Sequence, residues 1–312
     1  MKALVTLLIV ALLAAAGVIT WLVRPSTDEA APSAAVVEQS KSERHAVASR
    51  FANLPDAALR YEVKVNMLRQ LDAESLTSQD IDTLYALLEH TPASGEEENW
   101  YVIVNEIMEQ LRAQAISPDR YTSTMLSMVQ SAETPEVVRD YAIQHLATWI
   151  NPIATEADEP YEDTPAQVTA ILSTFGEVIT DPTLAHSSVP GTTLMMLADL
   201  RSGGLDASLL DPVLDTLQPW LEQSLRGTHS LSQINRISTI NAIGELGLTQ
   251  FTPTIRSLAI NEDTHTNLRL NSIAALGALG DDSDLPSLQA LANSNSKFRH
   301  AAEAALNSLS TQ

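Results

Sequence analysis

Seven histidines, at His45, His90, His145, His186, His229, His265 and His300, are the side chains of this sequence best suited to hold a metal or move a proton. A metal site on one helix needs ligands three or four residues apart, and a zinc protease needs His-Glu-x-x-His. No two of these histidines lie within five positions of each other, and neither His-Glu-x-x-His nor His-x-His occurs. Asp281-Asp282-Ser283-Asp284 comes nearest to a calcium loop. It lacks the alternating order ending in Gly and reads as a turn with a helix N-cap. Two further acidic runs are Glu96-Glu97-Glu98 and Glu156, Asp158, Glu159, Glu162 and Asp163. They read as solvated links between helices; the competing reading is a cation-binding loop or a lure for a basic partner. The sequence has no cysteine, no Gly-x-Ser-x-Gly, no P-loop and no Gly-x-Gly-x-x-Gly. That removes thiol chemistry, zinc-thiolate and iron–sulfur sites, and the usual serine and nucleotide sites. Met195-Met196 and the tryptophans Trp100, Trp149 and Trp220 read as packing residues. Trp149-Ile150-Asn151-Pro152 is the one place where an exposed aromatic would matter. The inventory assigns no catalytic residue, no metal ligand and no cofactor.

Composition narrows the function classes further. The chain has 312 residues, 45% of them hydrophobic and only 4% aromatic, enough for one large core or two ordinary ones. Eighteen basic against 39 acidic residues give a net charge of −21. Such a chain repels phosphate backbones, so no nucleic-acid partner is expected.

The first 24 residues differ from the rest. Ala3 to Val23 is an unbroken run of 21 uncharged residues, mostly apolar. As a helix it reaches roughly 32 Å, enough for a bilayer core of roughly 30 Å. It is longer than the apolar region of a cleaved signal and continues past Ala14-Ala15-Ala16 to Trp21, Leu22 and Val23. Residues 1–24 therefore read as a signal anchor, with a signal peptide cleaved near Ala16 as the alternative. Residues 25–42, rich in Pro, Ala and Ser, read as a flexible linker. Lys2 before the span and the anionic body after it place the body outside the cytoplasm. The expected setting is a bacterial inner membrane, crossed once, with residues 43–312 in the periplasm.

From residue 43 onward apolar residues recur at three- and four-residue steps, without period-2 alternation. Prolines behind short polar residues mark helix starts at Ser117-Pro118, Thr134-Pro135, Thr164-Pro165, Asp211-Pro212 and Thr252-Pro253. The pattern predicts fourteen helices near 44–53, 56–72, 78–90, 98–115, 118–130, 135–150, 165–180, 190–201, 207–226, 230–246, 252–261, 266–279, 284–293 and 296–309. Pro219 should bend or split the helix over 207–226. Short links imply about seven antiparallel pairs.

An internal repeat appears at residues 230–310. Pro253-Thr-Ile255-Arg-Ser-Leu258-Ala259 matches Pro286-Ser-Leu288-Gln-Ala-Leu291-Ala292, 33 positions on. In the helices that follow, Arg236, Arg269 and Arg299 each precede an apolar run: Ala242-Ile243-Gly244, Ala275-Leu276-Gly277 and Ala305-Leu306-Asn307. Arg139 before Tyr141-Ala142 is a fainter echo. Ala274, Ala275 and Gly277 would let the neighbouring helix approach closely, and Leu276 and Leu279 would fill the space between pairs. The arginines would stand in register and bond turn carbonyls or acids of the adjacent repeat.

These residues resemble HEAT repeats, in particular the short HEAT-like repeats of phycobilisome lyases. The resemblance implies an all-α superhelix, an α-solenoid of paired helices, behind the N-terminal transmembrane helix. A solenoid of this kind is expected to be a non-enzymatic, membrane-tethered scaffold or adaptor holding protein partners, one with a basic patch being favoured by the charge. The alternatives are an enzyme or enzyme subunit such as a chromophore lyase, implied by the resemblance alone, and a secreted binding protein after signal cleavage.

Overall fold

The computed structural model describes residues 49–71, 76–92, 94–114, 118–151, 165–227 and 231–310. The anchor over residues 3–23 and the linker over 25–42 lie outside them. Among the described residues no helix is long and apolar enough to cross a membrane.

All regular structure among these residues is helical. The thirteen α-helices are α1 (Tyr61–Arg69), α2 (Ser78–Leu88), α3 (Glu97–Ala113), α4 (Pro118–Gln130), α5 (Glu136–Ile150), α6 (Pro165–Thr180), α7 (Val189–Ser202), α8 (Ala207–Arg226), α9 (Gln233–Glu245), α10 (Thr252–Ile260), α11 (Thr266–Leu279), α12 (Leu285–Ala292) and α13 (Arg299–Leu309). The cap chemistry is local. Thr77 and Asp80 form a reciprocal capping box at α2, Asp206 caps α8, and Ser232 caps α9. Gly227 ends α8 in the left-handed region at φ 68°, which an L side chain reaches only with strain.

From α2 onward the helices form six antiparallel pairs, α2/α3 to α12/α13. The second helices build one continuous row, α1–α3–α5–α7–α9–α11–α13, each packed on those before and after it. The first helices α4, α6, α8 and α10 lie beside it as a looser row. Apolar side chains from all pairs join one core, including Leu84, Ile107, Met125, Ile143, Phe175, Leu197, Leu221, Ile243 and Ile273. No pair encloses a core of its own, so each draws its stability from its neighbours.

Four expectations need correction. The helix expected over 44–53 is absent where it is described: residues 50–55 form turns, held by short-range bonds such as Leu54 N–H to Phe51 carbonyl at 3.0 Å. The helix expected over 56–72 is shorter, Tyr61–Arg69, because residues 57–59 still form a turn and a bend. Pro219 does not split α8, which runs unbroken from Ala207 to Arg226. Pro219 is on the exposed side, where solvent can take the Asp215 carbonyl that its missing N–H leaves free. Pro212 likewise lies inside α8 rather than at its start.

Candidate functional site

The four repeat arginines do not all act alike. Arg236, the fourth residue of α9, donates from Nε to the Ser224 carbonyl at 3.2 Å and from Nη2 to the Leu225 carbonyl at 3.0 Å. Arg269, the fourth residue of α11, donates from Nε to the Ala259 carbonyl at 2.8 Å and from Nη2 to the Ile260 carbonyl at 3.4 Å. Each thus bonds carbonyls that close the first helix of its own pair and sets a cation at that helix's negative end. Arg139, at the same position in α5, donates to the Thr134 carbonyl at 3.1 Å in the connecting loop. Arg299 departs from the series. Arg299 follows its repeat proline, Pro286, by 13 positions where Arg269 follows Pro253 by 16, and it is the first residue of α13, not the fourth. It points outward and pairs with Glu303 at 2.9 Å.

Close approach at the C-terminal end of the second-helix row rests on two glycine–alanine steps. A Cβ built on Gly244 would lie 3.3 Å from the Ala275 Cβ. A Cβ on Gly277 would lie 2.9 Å from the Ala305 Cα, closer than real side chains come. Leu276 and Leu279 are buried between these contacts, whereas Leu306 in α13 is half-buried. Ala274, expected in the close contact, is exposed instead, as is Ala304. Each faces away from the row because it lies about 100° around the helix from its buried neighbour.

Asp284 has a role that its local sequence does not announce. It stands at the N-cap of α12 without capping it. Instead it is buried and takes a two-pronged bond from Arg256 of α10, Nε to Oδ1 at 2.5 Å and Nη2 to Oδ2 at 3.0 Å. It also accepts the Asp281 N–H at 3.1 Å. The acidic turn is therefore a socket for an arginine of the preceding repeat, built around a carboxylate–guanidinium fork.

His145 is packed between α3 and α5. Its Nε2 lies 3.1 Å from Asn105 Oδ1 and its Nδ1 3.7 Å from Glu109. Burial drives its pKa down to about 4, with Glu109 pulling the other way. At Glu109 burial pushes upward, but the hydrogen bond and charge of Arg112 outweigh it and hold the carboxyl below its ordinary range. The group is a buried, neutral histidine. Among the described residues no three His, Cys, Asp or Glu side chains are placed to hold a metal. Ser294-x-x-Lys297 has the spacing of a serine–lysine dyad, but Ser294 donates to the Leu291 carbonyl at 2.6 Å while Lys297 donates to Thr266 at 2.7 Å. Trp149 is buried with its ring 4.9 Å from that of Tyr121, so no exposed aromatic stands there. The acidic run from Glu156 to Asp163 lies outside the described residues.

The side of the second-helix row left open over α5, α7, α9 and α11 has a distinct chemistry. Half-buried apolar side chains line it: Val137 and Tyr141, Met195 and Met196, Ile237, and Leu270. Ile234 is 63% exposed beside them. These four helices carry the carboxylates Glu136, Asp140, Asp199 and Glu245, none in an ion pair among the described residues. Their only cations, Arg139, Arg201, Arg236 and Arg269, are all engaged, Arg201 by Asp211 and the others by carbonyls. Glu136 and Asp140 both accept from the Ser188 hydroxyl at the head of α7, Glu136 at 2.8 Å. Burial, with the neighbouring Glu136, pushes the Asp140 pKa up to about 6. Burial also raises Asp199, and burial together with the Asp199 charge raises Glu245.

Residues 218–307 match a family model described as HEAT repeats. No curated protein matches the chain. The solved structure of human deoxyhypusine hydroxylase in complex with glycerol is similar at 15% identity and a TM-score of 0.32, over 81% of this chain and 98% of that one.

Proposed function

From a chain whose residues 218–307 are HEAT repeats, we propose a non-enzymatic scaffold or adaptor that holds a protein partner, tethered to a membrane by residues 3–23. The observation that carries the reading is the second-helix row. Stacked pairs hold it rigid, and over four successive helices its open side offers apolar side chains and no free cation. Rigid extended faces of this kind suit the holding of other proteins. The tether, the single crossing and a periplasmic body rest on the apolar run of residues 3–23 and the charge that follows it.

The experiment is photo-crosslinking in cells, with the crosslinker at Met196 of the full-length chain, followed by identification of the attached protein. A single reproducible partner supports the scaffold. Retention of the chain in the membrane pellet after alkaline carbonate supports the tether, and full release contradicts it. Turnover of any substrate by the purified chain would replace the scaffold with an enzyme.

A further inference from the structure

Resting on that reading, we infer that the open side of α5, α7, α9 and α11 is a cradle for one basic amphipathic α-helix of the partner, lying across the four helices. The first argument is electrostatic. Four carboxylates without ion pairs share this side with no available guanidinium or ammonium. Asp140 is half-buried, and Glu136, Asp199 and Glu245 are exposed within reach of a cation that a partner brings. Burial raises the Asp199 pKa, and burial with a neighbouring carboxylate raises those of Asp140 and Glu245, in keeping with a side that carries no compensating cation.

The second argument is spacing. Packed helices lie about 8–10 Å apart. The row therefore presents one apolar station per helix, at Tyr141, Met195, Ile237 and Leu270, repeating at about that distance. A helix rises about 10.5 Å over seven residues. A visiting helix with one apolar and one basic side chain per heptad thus meets the stations in step, over about 20 residues. Methionines among the stations suit such a contact, since unbranched thioethers adapt to a partner's shape.

Charge also argues against occupants from this chain. Residues 1–48 hold four basic and four acidic side chains, and residues 152–164 hold five acidic and none basic. A second copy brings another net charge of −21. The occupant is therefore a foreign segment rich in Lys or Arg.

The test uses the full-length chain in a neutral detergent and a labelled peptide of about 20 residues built of Leu/Lys heptads, read by fluorescence anisotropy. Binding should weaken steeply with added salt. Asp199→Lys with Glu245→Lys should weaken it about tenfold or more, whereas Glu177→Lys with Asp215→Lys, exposed on α6 and α8 of the other row, should change it less than about twofold. A peptide of the same composition with central prolines should bind about tenfold more weakly, since it cannot form the helix. Circular dichroism melting confirms that both charge variants fold. Equal weakening by the two charge pairs, loss only with Glu177→Lys and Asp215→Lys, or no binding to the unaltered chain overturns the cradle. Equal binding of the proline peptide overturns the helix in favour of an extended arm. None of these results bears on whether crosslinking in cells finds a partner, so the scaffold stands or falls separately.

Discussion

The guanidinium carbon of Arg269 lies 4.4 Å over the ring of Phe298, and the two belong to successive repeats. The same guanidinium closes α10 through the Ala259 and Ile260 carbonyls. One side chain thus ends a helix in its own repeat and stacks on an aromatic in the next. A lysine keeps the charge but not the planar fork or the flat contact. Arg269→Lys should destabilise the body by about 1–3 kcal/mol in urea unfolding. Phe298→Leu should cost less, and a double-mutant cycle should show coupling of about 0.5–1 kcal/mol. A coupling of zero would mean that the stacking contributes nothing.

The glycine–alanine steps predict a graded series. At Gly277 an added methyl meets the Ala305 backbone, which cannot give way without moving α13. At Gly244 it meets the Ala275 Cβ at 3.3 Å, a tight contact that a shift of a few tenths of an ångström relieves. Gly277→Ala should destabilise by about 1–3 kcal/mol, and Gly244→Ala by distinctly less, helped by the better helix propensity of alanine. Ala275→Asp, which buries a carboxylate without a partner at the same seam, should cost several kcal/mol. Thermal melting ranks the three directly. Should Gly277→Ala melt as the unaltered chain does, the row is looser than its coordinates.

The Arg256–Asp284 fork joins α10 to the turn before α12 across 28 positions of sequence. Asp284 is nearly inaccessible, whereas Arg256 remains partly exposed. Removing the two partners is therefore unequal. Arg256→Ala strands a buried carboxylate and should cost about 3–5 kcal/mol, while Asp284→Asn leaves a partly solvated cation and should cost less. Equal losses would indicate that the pair is solvated on both sides.

These contacts show which parts of the fold are legible in the sequence. The helical rhythm, the starts at Thr134-Pro135 and Thr164-Pro165, and the repeat over 230–310 are local patterns, and local patterns survive in one dimension. The register of Arg299 is not legible in the match: it stands three positions nearer to its repeat proline than Arg269 does, it falls at the first helical position instead of the fourth, and its partner changes from carbonyls to Glu303. Pro219 is misread for a related reason, since its cost depends on whether the freed carbonyl faces core or solvent. Asp284 looks like an N-cap until its partner is known, and nothing near it in sequence points to Arg256. The open face is equally hidden, because one cannot tell from α7 or α9 alone which carboxylates lack a cation across the seam.

Asp140 and His145, both in α5, make opposite contributions to the pH dependence of stability. Burial raises Asp140 from 3.8 to about 6. Between those values the folded state binds more protons than the unfolded one, so stability falls as pH rises through the window. Burial lowers His145 from 6.5 to about 4. Over that range the unfolded state binds more protons, so stability rises with pH and is lost as pH falls from 6.5 toward 4. Each effect is at most about 3 kcal/mol, and over pH 4 to 6 the two oppose each other. Asp140→Asn keeps an acceptor for the Ser188 hydroxyl and removes only the first slope. Relative to the unaltered chain it should gain about 2–3 kcal/mol between pH 4 and pH 7, leaving the rise due to His145 exposed. Urea unfolding of both proteins at half-unit pH steps measures the difference. A difference that stays constant across this range would show that Asp140 titrates in the folded state as it does in the unfolded chain.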